Sequence, residues 1–298
     1  MQVSDDAYVS RDLAKFNHAD ETIVYMPGGH EYDMAQHVQD MMTTFASFPD
    51  VRPHNHPYKI RFGEGNWTFA LTDVTGTNTG PIQGPNGWTG PTGRGFNIEM
   101  ATLGYWEDGK ILIKYIWADG MKQTRQLGFL PSPLPNEPTV GLSLSNHSVP
   151  LSKTGADNAQ KNKGLYHDYE AAFNKGSITA KSLKFSKDIK VYGVDLDGKI
   201  LTLDQYLDVI KQNKRAFPDL KLASNQVLGS GDWTVAVSTL TGTLTGAFEV
   251  PDYLSEAPIQ ANGNKISVRQ FTIARWQDGV ITHLKFLNDP LTILAQVQ

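Results

Sequence analysis

The stretch WTVAVSTLTGTLTG, Trp233 to Gly246, decides the fold, because WTFALTDVTGTNTG, Trp67 to Gly80, says nearly the same thing 166 residues earlier. In the later copy Trp233, Val235 and Val237 alternate with Thr234, Ala236 and Ser238, and in the earlier one Trp67, Phe69 and Leu71 keep the same rhythm. A period of two with Thr and Val enriched predicts a strand, and the TGT that follows suits an edge or a bend.

The copying extends outward from there. SFPDV (Ser47 to Val51) returns as AFPDL (Ala216 to Leu220), YWEDGKI (Tyr105 to Ile111) as RWQDGVI (Arg275 to Ile281), and ILIKYIWAD (Ile111 to Asp119) as ITHLKFLND (Ile281 to Asp289). The offset stays between 166 and 170 residues throughout. Solenoid repeats run about 20–50 residues, so a period this long means two tandem domains. We expect them at 1–135 and 157–298, joined by a linker at 136–156 that is rich in Pro, Ser, Asn and Gly. LYHDYEAAFNKGS, from Leu165, reads as a helix that opens the second copy. The first copy leaves no room for its counterpart, so its N-terminal helix is expected to be missing. MAQHVQDMMTTFASF and LDQYLDVIKQNKRAF read as helices that stop before the FPD turns. Each unit is then helix, helix and three or four long antiparallel strands. That order implies an α+β fold, a curved sheet wrapped on one side by helices, with a pocket between the layers.

Composition narrows the function. The 298 residues are 40% hydrophobic and 19% charged, with a net charge of −4 and no cysteine. No dense block of Lys and Arg suggests a nucleic-acid partner, and no apolar run approaches the ~20 residues of a membrane-spanning helix. Disulfides, zinc thiolates and cysteine nucleophiles are excluded. The N-terminal residues show no basic segment followed by an apolar core, so no signal peptide is visible and a cytoplasmic location is favoured.

Taken in order, FPDV, GNWTFALTDVTGTNTG, PTGR, YWEDGKI, WAD and RQLGFLP resemble the SnoaL-like polyketide cyclases, also known as ester cyclases, of the NTF2-like fold. The second copy keeps FPDL, WTVAVSTLTGTLTG, RWQDGVI and LND but has QANGN in place of PTGR and no QLG tail. The resemblance implies two cone-shaped α+β barrels, each with a deep apolar pocket. It also implies ring closure by aldol condensation with no metal or cofactor, and an aspartate on the last long strand as acid/base. That aspartate matches Asp119 and Asp289. The family's characterised cyclases pair it with a histidine on a neighbouring strand, and neither copy offers one near Tyr105 or Arg275.

Proton removal beside a carbonyl needs a base whose pKa burial has lifted toward neutrality. Asp119 shares its strand parity with Ile113, Tyr115 and Trp117, whereas Asp289 shares it with His283 and Lys285, and a cation nearby lowers a carboxylate's pKa. Any catalysis is therefore expected in the first domain, with Tyr115 and Trp117 lining its pocket. Each Asp equally suits a helix cap. Glu99 corresponds to Arg269 and Tyr105 to Arg275, so two pockets would prefer different ligands, with His283 among the lining of the second; solvated strand positions are the bland alternative. His54 and His56 share a strand face but lack a third ligand, so rim histidines are expected and no metal. The Gly- and Pro-rich loop from Gly80 to Arg94 cannot be regular structure, and its Trp88 either covers the pocket or packs elsewhere. The other face of the last strand, Leu112, Ile116 and Ala118, is apolar too. We therefore expect the domains to pair through their sheets, with a homo-oligomer left open. Two function classes follow: a cofactor-free cyclase, isomerase or lyase acting on a small apolar carbonyl compound, or a non-catalytic ligand-binding or scaffold module.

Overall fold

A computed structural model describes residues 2–54, 58–84, 87–130, 156–193, 200–250, 255 and 257–298. Among these the chain divides into two units, 2–130 and 156–298. The expected linker lies outside the described residues except for residue 156, where a helix already begins.

The first unit runs α1 (Gln2–Ser10), β1 (His18–Tyr25), β2 (Glu31–Tyr32), α2 (Met34–Ser47), β3 (Arg52–His54), β4 (Ile60–Glu64), β5 (Trp67–Thr77), β6 (Ile82–Gly84), β7 (Gly87–Thr89), β8 (Gly95–Glu107), β9 (Lys110–Ala118) and α3 (Gly120–Gln126). The second runs α4 (Ala156–Asn174), β10 (Phe185–Gly193), α5 (Leu203–Ala216), β11 (Lys221–Ser230), β12 (Trp233–Thr243), β13 (Lys265–Gln277), β14 (Val280–Leu287) and α6 (Pro290–Val297). Their sheets follow the same path, β2-β1-β9-β8-β5-β3 with β4 also on β5, and β10-β14-β13-β12-β11. Both are open, so each unit is a curved α+β sheet packed with helices rather than a closed barrel. Nor are they wholly antiparallel, because β1 runs parallel to β9 and β10 parallel to β14. Each parallel pair joins the first long strand of its unit to the last, across the helix and the antiparallel strands that lie between them in the chain.

The repeated motifs recur because each closes the same joint. Asp50 of the first FPD accepts hydrogen bonds from the Thr77 N–H (2.6 Å) and Oγ1–H (2.7 Å), and Asp219 accepts the same pair from Thr243 at 2.6 and 2.7 Å. The Gly80 N–H donates to the Ser47 carbonyl at 3.1 Å and the Gly246 N–H to the Ala216 carbonyl at 3.0 Å, satisfying orphan acceptors at the ends of α2 and α5. A Cβ on Gly80 would overlap the Ala46 carbonyl oxygen, and one on Gly246 the Arg215 carbonyl oxygen. Trp106 donates its indole N–H to Thr68 Oγ1 (2.7 Å) as Trp276 does to Thr234 Oγ1 (2.8 Å).

Two local expectations are corrected, and one difference separates the copies. The first unit does have an N-terminal helix, α1, at 9 residues against 19 in α4; it escapes notice because its mixed sequence shows no apolar stripe. The Gly80–Arg94 loop is partly regular, since β6 and β7 form a two-stranded ribbon with Gln83 opposite Trp88. The single strand β11 is replaced in the first unit by β3 and β4, which share β5 as partner. The offset between copies falls from 169 at FPD to 166 at the Trp, which places three extra residues at that break.

Candidate functional site

A mainly apolar cavity in the first unit lies between α2 and the sheet. Helix α2 starts with a capping box, in which the Gln36 N–H donates to Asp33 Oδ1 (2.8 Å) and the Asp33 N–H to Gln36 Oε1 (3.0 Å). That fixes the helix face carrying His37, Asp40, Met41 and Thr44 toward the strands. Facing it are Val74 of β5, Phe96, Ile98, Met100 and Thr102 of β8, and Lys114, Ile116 and Ala118 of β9. Together with Tyr8 and Phe16 they enclose a cavity of about 330 Å³.

Strand parity runs opposite to expectation. Because Ile98, Met100, Lys114 and Ile116 face the cavity, Glu99, Tyr105, Tyr115 and Trp117 point to the other side of the sheet. There Lys59 bridges Asp73 (2.6 Å) and Glu99 (3.0 Å), and Trp67 packs its ring against Tyr105 and Tyr115. Ile116 and Ala118, expected to face a partner, line the cavity instead. Both faces of β9 are apolar, so alternation alone does not say which is inside.

A few polar groups interrupt the apolar lining. Lys114 Nζ stands 3.5 Å from His37 Nε2, and among the described residues it has no carboxylate in ion-pair contact. Burial pulls the Lys114 ammonium down to about 8, with Asp5 opposing in part. His37 is 2% exposed, and burial, followed by the charge of Lys114, lowers its pKa to about 3. Behind it His18 stacks on Phe16 at 4.1 Å, and its pKa is lowered to about 2 by burial and then by Lys114 and His37. Both imidazoles are neutral at pH 7. His37 Nδ1 and both ring nitrogens of His18 have no hydrogen-bond partner among the described residues. Asp40, one helical turn beyond His37, lines the same cavity, and burial raises its carboxyl above the usual carboxylate value. Asp5 accepts a hydrogen bond from the Tyr58 hydroxyl.

The second unit fills the equivalent space. Helices α2 and α5 have equal length and stop at corresponding residues, so His37 matches Tyr206 and Asp40 matches Val209. Val24 of β1 pairs with Lys114 as Val191 of β10 pairs with Leu284. His18 likewise corresponds to Phe185. Tyr206 stacks on Phe286 at 5.8 Å and packs on Phe185 at 5.7 Å, with Tyr169 completing a continuous apolar core. What remains is a cavity of about 270 Å³ displaced toward Asn288, Pro290 and Leu294.

The residues singled out from sequence are scattered around these spaces rather than gathered in one. Asp119 is the N-cap of α3, accepting from the Lys122 N–H at 3.0 Å, and Asp289 is the N-cap of α6, accepting from the Leu291 N–H (3.1 Å) and Thr292 Oγ1–H (2.5 Å). Neither lines the two cavities described above, although Ala118 and Gln123 beside Asp119 line the first. Trp88 is 60% exposed. His54 is exposed and bonds Thr75 Oγ1 at 2.8 Å, while His56 lies outside the described residues. Contrary to the expectation of no histidine near Arg275, His283 of β14 lies directly opposite it; Arg275 is also 5.9 Å from the Trp233 ring and Arg269 lies opposite Thr239, and Arg275, His283 and Arg269 sit on the sheet face away from the second unit's core. Burial, then Arg275 and Lys190, lowers the His283 pKa. Among the described residues no three His, Asp or Glu side chains gather as metal ligands, and no helix is long and apolar enough to cross a membrane. Lys114, His37 and Asp40 were missed. The signal was present in the pairing of the two copies, where charged or polar residues replace Leu284, Tyr206 and Val209.

Comparison with known proteins supplies the family. No functionally curated protein matches the chain. Among solved structures it is similar to AclR from Streptomyces galilaeus (20% identity, TM-score 0.40, covering 47% of this chain and 85% of that one). It is also similar to IdmH from Streptomyces antibioticus (22%, 0.37, 43% and 94%) and to TsrD from Streptomyces laurentii (20%, 0.39, 46% and 95%). The family profile described as SnoaL-like polyketide cyclase matches twice, over residues 2–127 and 163–297, one match on each unit. The chain belongs to the SnoaL-like polyketide cyclase family and carries two copies of its fold.

Proposed function

We propose that the first unit binds a small, mainly apolar carbonyl compound and acts on it as a cofactor-free cyclase, isomerase or lyase. The observation that carries this reading is the cavity of about 330 Å³, whose walls are mainly apolar and whose lining includes Lys114, His37 and Asp40. A carboxylate raised by desolvation is matched to taking a proton from the carbon next to a carbonyl. Asp40 fits that task, because it lines the space a ligand would fill. Asp119 is the base implied by the family resemblance, and it is the second reading because Ala118 and Gln123 bring the cavity to its side. The second unit, with aromatic side chains where the first has a polar pocket, reads as a non-catalytic scaffold half.

The test is a turnover screen with aryl ketones and β-dicarbonyls, followed by three variants. Asp40→Asn is expected to lower kcat by about 10²–10⁴-fold, the usual contribution of a general base, with a small change in KM. Loss confined to Asp119→Asn would transfer the role to that residue. Loss confined to Asp289→Asn would move the chemistry to the second unit and overturn the assignment.

A further inference from the structure

We propose that Lys114 is a nucleophile, its Nζ placed in the cavity wall beside His37 to condense with a ligand carbonyl as an imine. This rests on the reading of the cavity as a carbonyl site and names the covalent form the ligand takes there. Three features support it. Lys114 lies among Ile116, Phe16 and Ile111 on the cavity lining, so its amine meets whatever fills the space. Its hydrogen-bond partner is a neutral imidazole rather than a carboxylate, so no fixed ion pair holds it in the charged form. The second unit has Leu284 at the matching position and no comparable cavity there, so the fold itself does not require a lysine.

Burial lowers the ammonium to about 8, so about a tenth of the chains carry the free amine at pH 7. An exposed lysine at its ordinary value carries roughly two orders of magnitude less. In the proposed step the Nζ lone pair forms a C–N bond to the carbonyl carbon, and the C=O pair moves onto oxygen, which takes up a proton as nitrogen gives one up. The carbinolamine then loses its hydroxyl, protonated to water, the nitrogen lone pair closes the C=N bond as a protonated imine, and the N–H proton returns to the acid that lent one. One water leaves and no electrons are gained or lost. Asp5, on the same cavity lining and the carboxyl whose charge acts on Lys114, is placed to lend that proton and take it back.

The experiment treats the full chain with benzaldehyde and sodium cyanoborohydride at pH 7, the hydride trapping any imine as a benzylamine, and locates adducts by peptide mass mapping. Lys114 is expected to label at least about tenfold faster than exposed Lys110 on the same strand, with a rate that rises through a midpoint near pH 8. Lys114→Arg, which keeps the charge, and Lys114→Met, which keeps the length, should both lose that adduct and leave the slow surface labelling unchanged. Labelling of surface lysines with Lys114 unmodified in the native chain overturns the proposal, whatever the variants do. Binding of benzyl alcohol, which has no carbonyl, is measured in parallel by saturation-transfer NMR. If it binds and benzaldehyde leaves no adduct on Lys114, the nucleophile falls and the ligand site stands. If neither binds, both fall.

Discussion

Replacing Lys114 by methionine should make the protein more stable at neutral pH. Lowering an ammonium from 10.5 to about 8 corresponds to about 3 kcal/mol of penalty for holding the charge in the cavity wall. Below about pH 8 the native and unfolded chains both carry the ammonium, and the penalty applies in full. Between about 8 and 10.5 the native chain releases its proton first, and the penalty shrinks until both states are neutral. Methionine keeps the length of the stem and drops the charge. Losing the attraction to Asp5 and the His37 contact offsets part of the gain, so the expected net is about 1–3 kcal/mol at pH 7, fading by pH 10. Urea unfolding by fluorescence at both pH values measures it. Two units can unfold separately, so the relevant transition is the one that Gly80→Ala shifts. A destabilised variant at pH 7, or a difference that is the same at pH 7 and pH 10, would refute the reasoning. A gain would identify Lys114 as a residue kept at a cost in stability, which is the pattern of a functional site.

Gly80→Ala and Gly246→Ala should each cost more than about 2 kcal/mol, because the added Cβ meets a helix-end carbonyl oxygen and neither backbone can yield; separate thermal transitions for the two variants would check this. Asp50→Ala should cost about 1 kcal/mol at pH 7, since the Asp is solvent-exposed and the two Thr77 bonds are partly replaced by water. Those bonds hold the Asp50 carboxyl below its usual value, so the difference from the native chain persists above 3.8 and disappears as pH falls through the lowered value; urea titration across acid pH measures it. Met100→Trp should fill the first unit's cavity and weaken binding of an aryl ketone at least about tenfold, with Leu240→Trp in the second unit as the comparison that leaves binding intact. Isothermal titration of both variants reads the outcome.

The duplicated architecture was legible because its motifs are local and carry their own geometry. FPD and TGT announce a joint between a helix end and a strand, and Asp108-Gly109 and Asp278-Gly279, with positive φ in both residues, announce tight hairpins. The parallel edge strands β1 and β10 were less visible, since their pairing with β9 and β14 spans long stretches of chain that no local pattern records. The cavity lining was hidden by β9 itself. Tyr115 and Trp117 on one face and Ile116 and Ala118 on the other are equally credible as pocket lining, and the aromatics drew the assignment to the face away from this cavity. Lys114 broke the apolar run and marked the inner face. His37 and Asp40 sit on the core-facing stripe of α2 with Met41, where a helix ordinarily carries apolar residues. Asp119 and Asp289 were read for chemistry from the resemblance, while their positions before α3 and α6 also carried the capping role that the hydrogen bonds display.

The central claim, that the first unit's cavity is the ligand site, is tested most directly by the crystal structure of the full chain soaked with 4-bromoacetophenone. The anomalous signal of bromine fixes the position of the ring without reference to refinement. A peak is expected between α2 and β8, with the carbonyl directed to Lys114 and His37, and none at the same level in the second unit. A peak confined to the cavity beside Asn288 and Leu294, or bromine found only on the surface, would contradict it.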